Sequence, residues 1–116
     1  MFIAMNRFKV RLGYAAEFER IWRERESHLQ QVDGFCEFHL LRGPECADHT
    51  LYASHVVWAS REAFEAWTHS EAFRAAHRNA GDNRHVYLEG PSFEGFEVVQ
   101  WIGPRSGAAA PTGESA

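Results

Sequence analysis

Phe2-Ile3-Ala4-Met5-Asn6-Arg7-Phe8-Lys9-Val10 sets the frame for the whole chain. Alternate residues Phe2, Ala4, Asn6, Phe8 and Val10 fall on one side, and Ile3, Met5, Arg7 and Lys9 on the other. That period of two is a β-strand. Gly13 ends it. From Ala15 to Leu29 the period lengthens, so that Phe18, Ile21, Trp22, Arg25 and Leu29 share a side while Glu17, Arg20, Arg23 and Glu24 lie elsewhere. This is an amphipathic helix. Asp33-Gly34 then breaks the chain.

Two further strands follow, Phe35 to Leu41 and Leu51 to Trp58, joined by a polar hairpin-like link from Gly43 to Thr50. Ser60 reads as the N-cap of a helix carrying Phe64 and Trp67, and Ser70 as the cap of a second short helix with Phe73, Ala76 and His77. Asn79 to Pro91 lacks a clean period and contains Gly81, Asp82, Asn83, Gly90 and Pro91, which reads mostly as a loop. A last strand is expected over Phe96–Ile102. The order β-α-β-β-α-β predicts an α+β, ferredoxin-like fold with an antiparallel sheet. Residues 1–102 form one expected domain, and 103–116, rich in Ala, Gly, Pro and Ser, reads as a disordered tail.

Helices on one side leave the other sheet face open. Strands two and three carry apolar residues on both sides, which asks for a second layer. Within 116 residues no segment remains to supply it. A second copy is therefore expected, giving a homodimer with sheets face to face, a dimeric α+β barrel.

Composition narrows the function. The chain is 45% hydrophobic, with nine Phe, four Trp and three Tyr, enough for a core and an interface. A net charge of −4 with scattered arginines excludes a nucleic-acid binder, which needs a clustered basic surface. Cys36 and Cys46 stand alone, without CxxC, zinc spacing or a CxxCH haem-attachment signature. No charged run leading into an apolar stretch opens the sequence, and no apolar run spans a membrane's width. The expectation is a cytoplasmic protein that engages no membrane.

Asn6, Trp67 and His77 are the candidate site. Each has an ordinary reading. An Asn among Phe2, Ala4, Phe8 and Val10 satisfies its amide on backbone or water, because a buried amide without partners costs about 1–3 kcal/mol. Trp67, three residues after Phe64, packs in the core. His77, four after Phe73, shares its helix face and forms a hydrogen bond. His69 and His85 compete with it, and His28, His39, His49 and His55 form no HxH or HExxH pair.

Taken together, the strand Phe2-Ile-Ala-Met-Asn6-Arg-Phe8 and the run Phe64-Glu-Ala-Trp67-Thr-His-Ser-Glu-Ala-Phe73-Arg-Ala-Ala-His77 change the reading. Across residues 1–102 the chain resembles the haem-degrading monooxygenases of the antibiotic biosynthesis monooxygenase superfamily, the group of the staphylococcal and mycobacterial haem oxygenases. The resemblance implies haem b as both substrate and cofactor. It implies His77 as the iron ligand through a neutral imidazole. Asn6 would place an amide donor across the porphyrin, and Trp67 would press the ring from planarity. The implied reaction opens the ring at a meso carbon and releases iron, using oxygen and an external electron donor. Arg7, Arg74, Arg78 and Arg84 are the cations near enough in sequence to meet the propionates. Residues 79–91 would form a lid over one haem edge. Three other readings compete: a cofactor-free monooxygenase acting on an aromatic or quinol substrate, a haem carrier or sensor that leaves the ring intact, and a purely structural dimerisation domain. The fold alone does not choose among them.

Overall fold

The computed structural model describes residues 1–25, 28–77 and 80–104. Four strands, β1 (Phe2–Arg11), β2 (Phe35–Glu45), β3 (His49–Trp58) and β4 (Tyr87–Glu97), form one antiparallel sheet in the order β2-β3-β1-β4. Helix α1 (Ala15–Glu24) and a 3-10 turn (Leu29–Gln31) link β1 to β2, while α2 (Arg61–Thr68), α3 (Glu71–Ala76) and a 3-10 segment (Ala80–Val86) link β3 to β4. The expected ferredoxin-like topology is present. Among the described residues, no helix is long and apolar enough to cross a membrane.

The element boundaries depart from expectation where proline, glycine or a bulge misleads a periodicity reading. The last strand is Tyr87–Glu97, not 96–102. Gly90-Pro91 argued against a strand there, yet β4 is an edge strand and its register with β1 shifts between Arg7 and Lys9. An edge bulge tolerates proline because no ladder donor is needed at that point. Most of the expected 79–91 loop is thus 3-10 helix and strand; residues 78 and 79 lie outside the described set. Gly43-Pro44 likewise sits inside β2, at a register shift between Arg42 and Glu45. Helix α1 stops at Glu24, not at Leu29, because Arg25 is already extended (φ −73°, ψ 133°). Of the expected tail over 103–116, residues 105–116 lie outside the described residues.

Register explains which side chains share a face. Phe2, Ala4, Asn6, Phe8 and Val10 pair with Trp58, Val56, Ser54, Tyr52 and Thr50, so these two rows point together at the helices. A bulge between Phe35 and Glu37 turns Cys36 out to solvent and brings Phe35 and Phe38 into one cluster, where strict alternation would separate them. At one end of this face Phe2, Ala4, Leu29 and Trp58 are buried with Phe35, Phe38, Phe64 and Trp67 packed on them. At the other, Phe8, Val10, Phe18, Tyr52 and Val86 are buried. Between the two clusters runs the row Ser54, Asn6 and Phe93. The apolar cores thus leave two polar side chains, Ser54 and Asn6, side by side in the middle of the sheet.

The opposite face carries Ile3, Met5, His39, Leu41, Ala53, His55, Val57 and Phe96, by the same registers. Of its charges, Arg7 pairs with Glu94 at 2.7 Å and Lys9 with Glu89 at 3.1 Å, while Arg11 and Glu37 share the face by the same registers. No described helix packs on it.

Candidate functional site

The helices reach the site through two serine caps. Ser60 Oγ accepts from the Ala63 N–H at 3.1 Å and starts α2. Ser70 Oγ accepts from the Phe73 N–H at 3.1 Å and donates to the Trp67 carbonyl at 2.6 Å, so one hydroxyl joins the end of α2 to the start of α3. This corner brings Trp67, Phe73 and His77 together over the middle of the sheet. Phe73 stands edge-on to Trp67 (centroids 4.8 Å, 84°) and is stacked with His77 (4.1 Å, 29°).

His77 Nδ1 lies 2.8 Å from the Phe73 carbonyl. A carbonyl only accepts, so Nδ1 carries the proton and Nε2 keeps its lone pair. That arrangement is the usual one for a histidine that ligates metal through Nε2. The competing histidines are placed otherwise. His85 Nε2 bonds Glu17 at 2.7 Å with Tyr14 against its ring, and neither His85 nor His69 lines the cavities below. His28 lines one of them.

Two adjoining cavities, about 690 and 730 Å³, lie between the sheet and the helices. Asn6, Trp22, Arg25, Phe64, Trp67 and His77 line both. Each volume is in the range of small-molecule and cofactor sites. All three sequence-derived site residues are therefore on one continuous wall. Trp67 Nε1 is buried without a hydrogen-bond partner, a cost tolerated where packing or a ligand dominates. The Asn6 side chain makes no hydrogen bond to any described residue, so its amide is available to an occupant.

The cations sort differently from expectation. Arg7 is on the open sheet face, bound to Glu94, because odd and even positions of β1 point oppositely. Arg74 is exposed and paired with Glu71. Arg84 lines the second cavity, and Arg78 lies outside the described residues. Arg25, absent from the expected cations, lines both cavities with its guanidinium 4.4 Å from the Trp22 ring centre. Burial lowers its pKa, against a smaller opposing effect of Tyr87. Its signal was in the sequence: a charge on the apolar side of the first helix. Tyr87 and Phe93 also line the second cavity, and burial raises the Tyr87 pKa. They were hidden by the misplaced last strand.

Such a slot suits a flat, largely apolar ring. It offers aromatic walls, one histidine nitrogen with a directed lone pair, one unpartnered amide and one partly buried cation.

A family model described as antibiotic biosynthesis monooxygenase matches residues 1–79. A Mycobacterium tuberculosis protein named heme oxygenase (mycobilin-producing) is 33% identical over 101 residues, which cover 87% of this chain and 91% of that protein. The structure of the haem degrader MhuD from the same organism, with two haems bound in its active site, superposes with a TM-score of 0.68 at 30% identity, covering 89% of this chain and 100% of that one. SnoaB, a cofactor-independent oxygenase from Streptomyces nogalater, superposes with a TM-score of 0.64 at 24% identity over 87% of this chain and 95% of its own, a likeness of fold alone.

Proposed function

The chain belongs to the antibiotic biosynthesis monooxygenase family, and from that membership we propose that it is a haem oxygenase, opening the porphyrin of bound haem at a meso carbon and releasing the iron. Haem is the substrate, and it supplies the redox centre on which oxygen is activated. An external electron donor completes the reaction.

The chain's own residues divide the remaining work. His77 ligates the iron through Nε2. The observation that carries this assignment is the bond from Nδ1–H to the Phe73 carbonyl, which fixes the tautomer and the ring on the cavity wall. Stacking on Phe73 resists rotation of the imidazole. Asn6 presents its amide from the sheet, where it donates to the reacting oxygen and orients it. Trp67, held by Trp58 and Phe73, presses on the macrocycle. The aromatic lining keeps bulk water from the reacting face, which strengthens the single amide contact. Arg25 meets a propionate carboxylate.

The open sheet face supports a homodimer. Apolar residues on it, Ile3, Met5, Leu41 and Phe96, flank two ion pairs closed within the chain, so a second copy covers that part of the face without breaking them.

Titration with hemin followed by ascorbate in air, with catalase present, tests the activity. Saturable binding with a Soret band, then loss of that band as iron becomes chelatable, is expected. Stable haem under these conditions would make the protein a carrier, and an absence of saturable binding would return the site to ordinary packing. His77→Ala should lose the five-coordinate spectrum and turnover together; retention of both refutes the ligand assignment.

A further inference from the structure

His39 and His55 stand directly opposite each other on β2 and β3, and the register puts both on the open face, away from the haem slot. Their ring centres are 5.6 Å apart, with the planes tilted by 40°. His55 Nδ1 is buried and makes no hydrogen bond to any described residue. A buried imidazole nitrogen left that way costs stability, and a bound ion is one of the few groups that offsets the cost. Imidazole nitrogens hold zinc at about 2.1 Å, so each ring centre stands about 3.2 Å from the ion, and a tetrahedral angle separates two such centres by about 5.2 Å. The pair is close to that spacing already. It is only half a shell, however. Among the described residues no three His, Cys, Asp or Glu side chains gather to hold a metal, and a closed zinc site takes four ligands.

We propose that His39 and His55 are one half of a four-histidine zinc site, completed by the same pair from a second copy of the chain. The inference rests on the homodimer reading and is independent of the haem assignment. By register the pair lies among Ile3, Met5, Leu41, Ala53 and Val57, within the apolar part of the face that a second copy covers. A twofold interface uses the same patch on both chains, so groups near its centre meet their own copies. Four imidazole nitrogens are a donor set that zinc accepts, whereas calcium and magnesium require oxygen. Charge argues the same way. Four neutral imidazoles leave the two positive charges of the ion uncompensated. Glu37 is two residues from His39 on this face and close enough to His55 to act on its charge. One Glu37 from each chain balances the ion and supplies the carboxylate to which a ligating histidine usually donates its other N–H.

Titration of the metal-free full chain with cobalt(II), which replaces zinc and reports its own geometry, tests this. The strong visible bands of tetrahedral cobalt should saturate at one ion per two chains and disappear when zinc is added. They should persist in His77→Ala and be lost in His39→Gln and in His55→Gln. In sedimentation equilibrium, free zinc at about 100 times its site dissociation constant should tighten the wild-type dimer by about 100-fold and leave both Gln variants unmoved. Saturation at one ion per chain, the weak bands of octahedral cobalt, or bands that survive in the Gln variants overturns the site. The wild-type stoichiometry and spectrum decide this even where a variant fails to fold. A dimer that binds no cobalt overturns the site and leaves the homodimer standing, whereas a chain that stays monomeric with and without zinc overturns both. Hemin titration of the same samples reads the haem assignment separately.

Discussion

Two glycines with nearly the same backbone give a controlled perturbation of the site's support. Gly13 has φ +88° and Gly34 has φ +83°, a region costing an L-residue about 1–2 kcal/mol. They differ in room. A Cβ at Gly13 meets nothing within 4 Å, whereas at Gly34 it would stand 2.5 Å from the Ala63 Cβ, in the first turn of α2. Gly34→Ala therefore adds an overpacking cost of about 1–3 kcal/mol to the backbone cost. The expectation is a loss of about 1–2 kcal/mol for Gly13→Ala and about 2–5 kcal/mol for Gly34→Ala. Urea unfolding at one fixed protein concentration, followed by circular dichroism, measures both. The second substitution should also weaken hemin binding, because α2 must retreat and it carries Trp67. Equal losses in the two variants would show that the approach of Gly34 to α2 does not matter, and would refute the reasoning.

Asn6→Ala should retain hemin binding while slowing ring opening by about 100-fold, the usual effect of removing one donor from a reacting oxygen; a wild-type rate removes the amide from the mechanism. Arg25→Gln should weaken hemin about tenfold, as loss of one charge-assisted hydrogen bond does, with no such loss for a haem whose propionates are esterified. Burial, and then the adjacent His39, lowers the His55 pKa, with Glu37 opposing. Protons then bind the unfolded chain first, so this contribution to stability is full above about pH 6.5 and falls as pH drops below it. His55→Gln should flatten that part of the urea-midpoint profile between pH 7.5 and 5.5, and an unchanged profile assigns the acid sensitivity to another group.

The sequence was legible where one physical rule acted alone. Strict alternation in β1 placed Asn6 correctly between Ala4 and Phe8, and Ser60 and Ser70 announced two caps that the structure contains. It was illegible where a register shift intervened. Nothing in Phe35-Cys36-Glu37 signals a bulge, and strict alternation would put Phe35 and Phe38 on opposite faces. Gly90-Pro91 reads as a loop unless one knows that the strand is at an edge, and that depends on the whole sheet. A motif grouped Asn6, Trp67 and His77, and all three line the same cavities, but the geometry around them was not legible. The tautomer of His77 depends on a carbonyl four residues back, and the position of Arg25 on the wall depends on cavities that only the assembled layers enclose.

The sheet order has a consequence for biosynthesis. Asn6 is on the first strand to be made, but its neighbours across the sheet are Ser54 and Phe93. β1 thus has no partner on either side until much later strands arrive, and its pairing with β4 completes only at Glu97. Long-range pairing of this kind is slow to form. The pocket therefore does not exist on a half-synthesised chain, and haem meets only the finished protein.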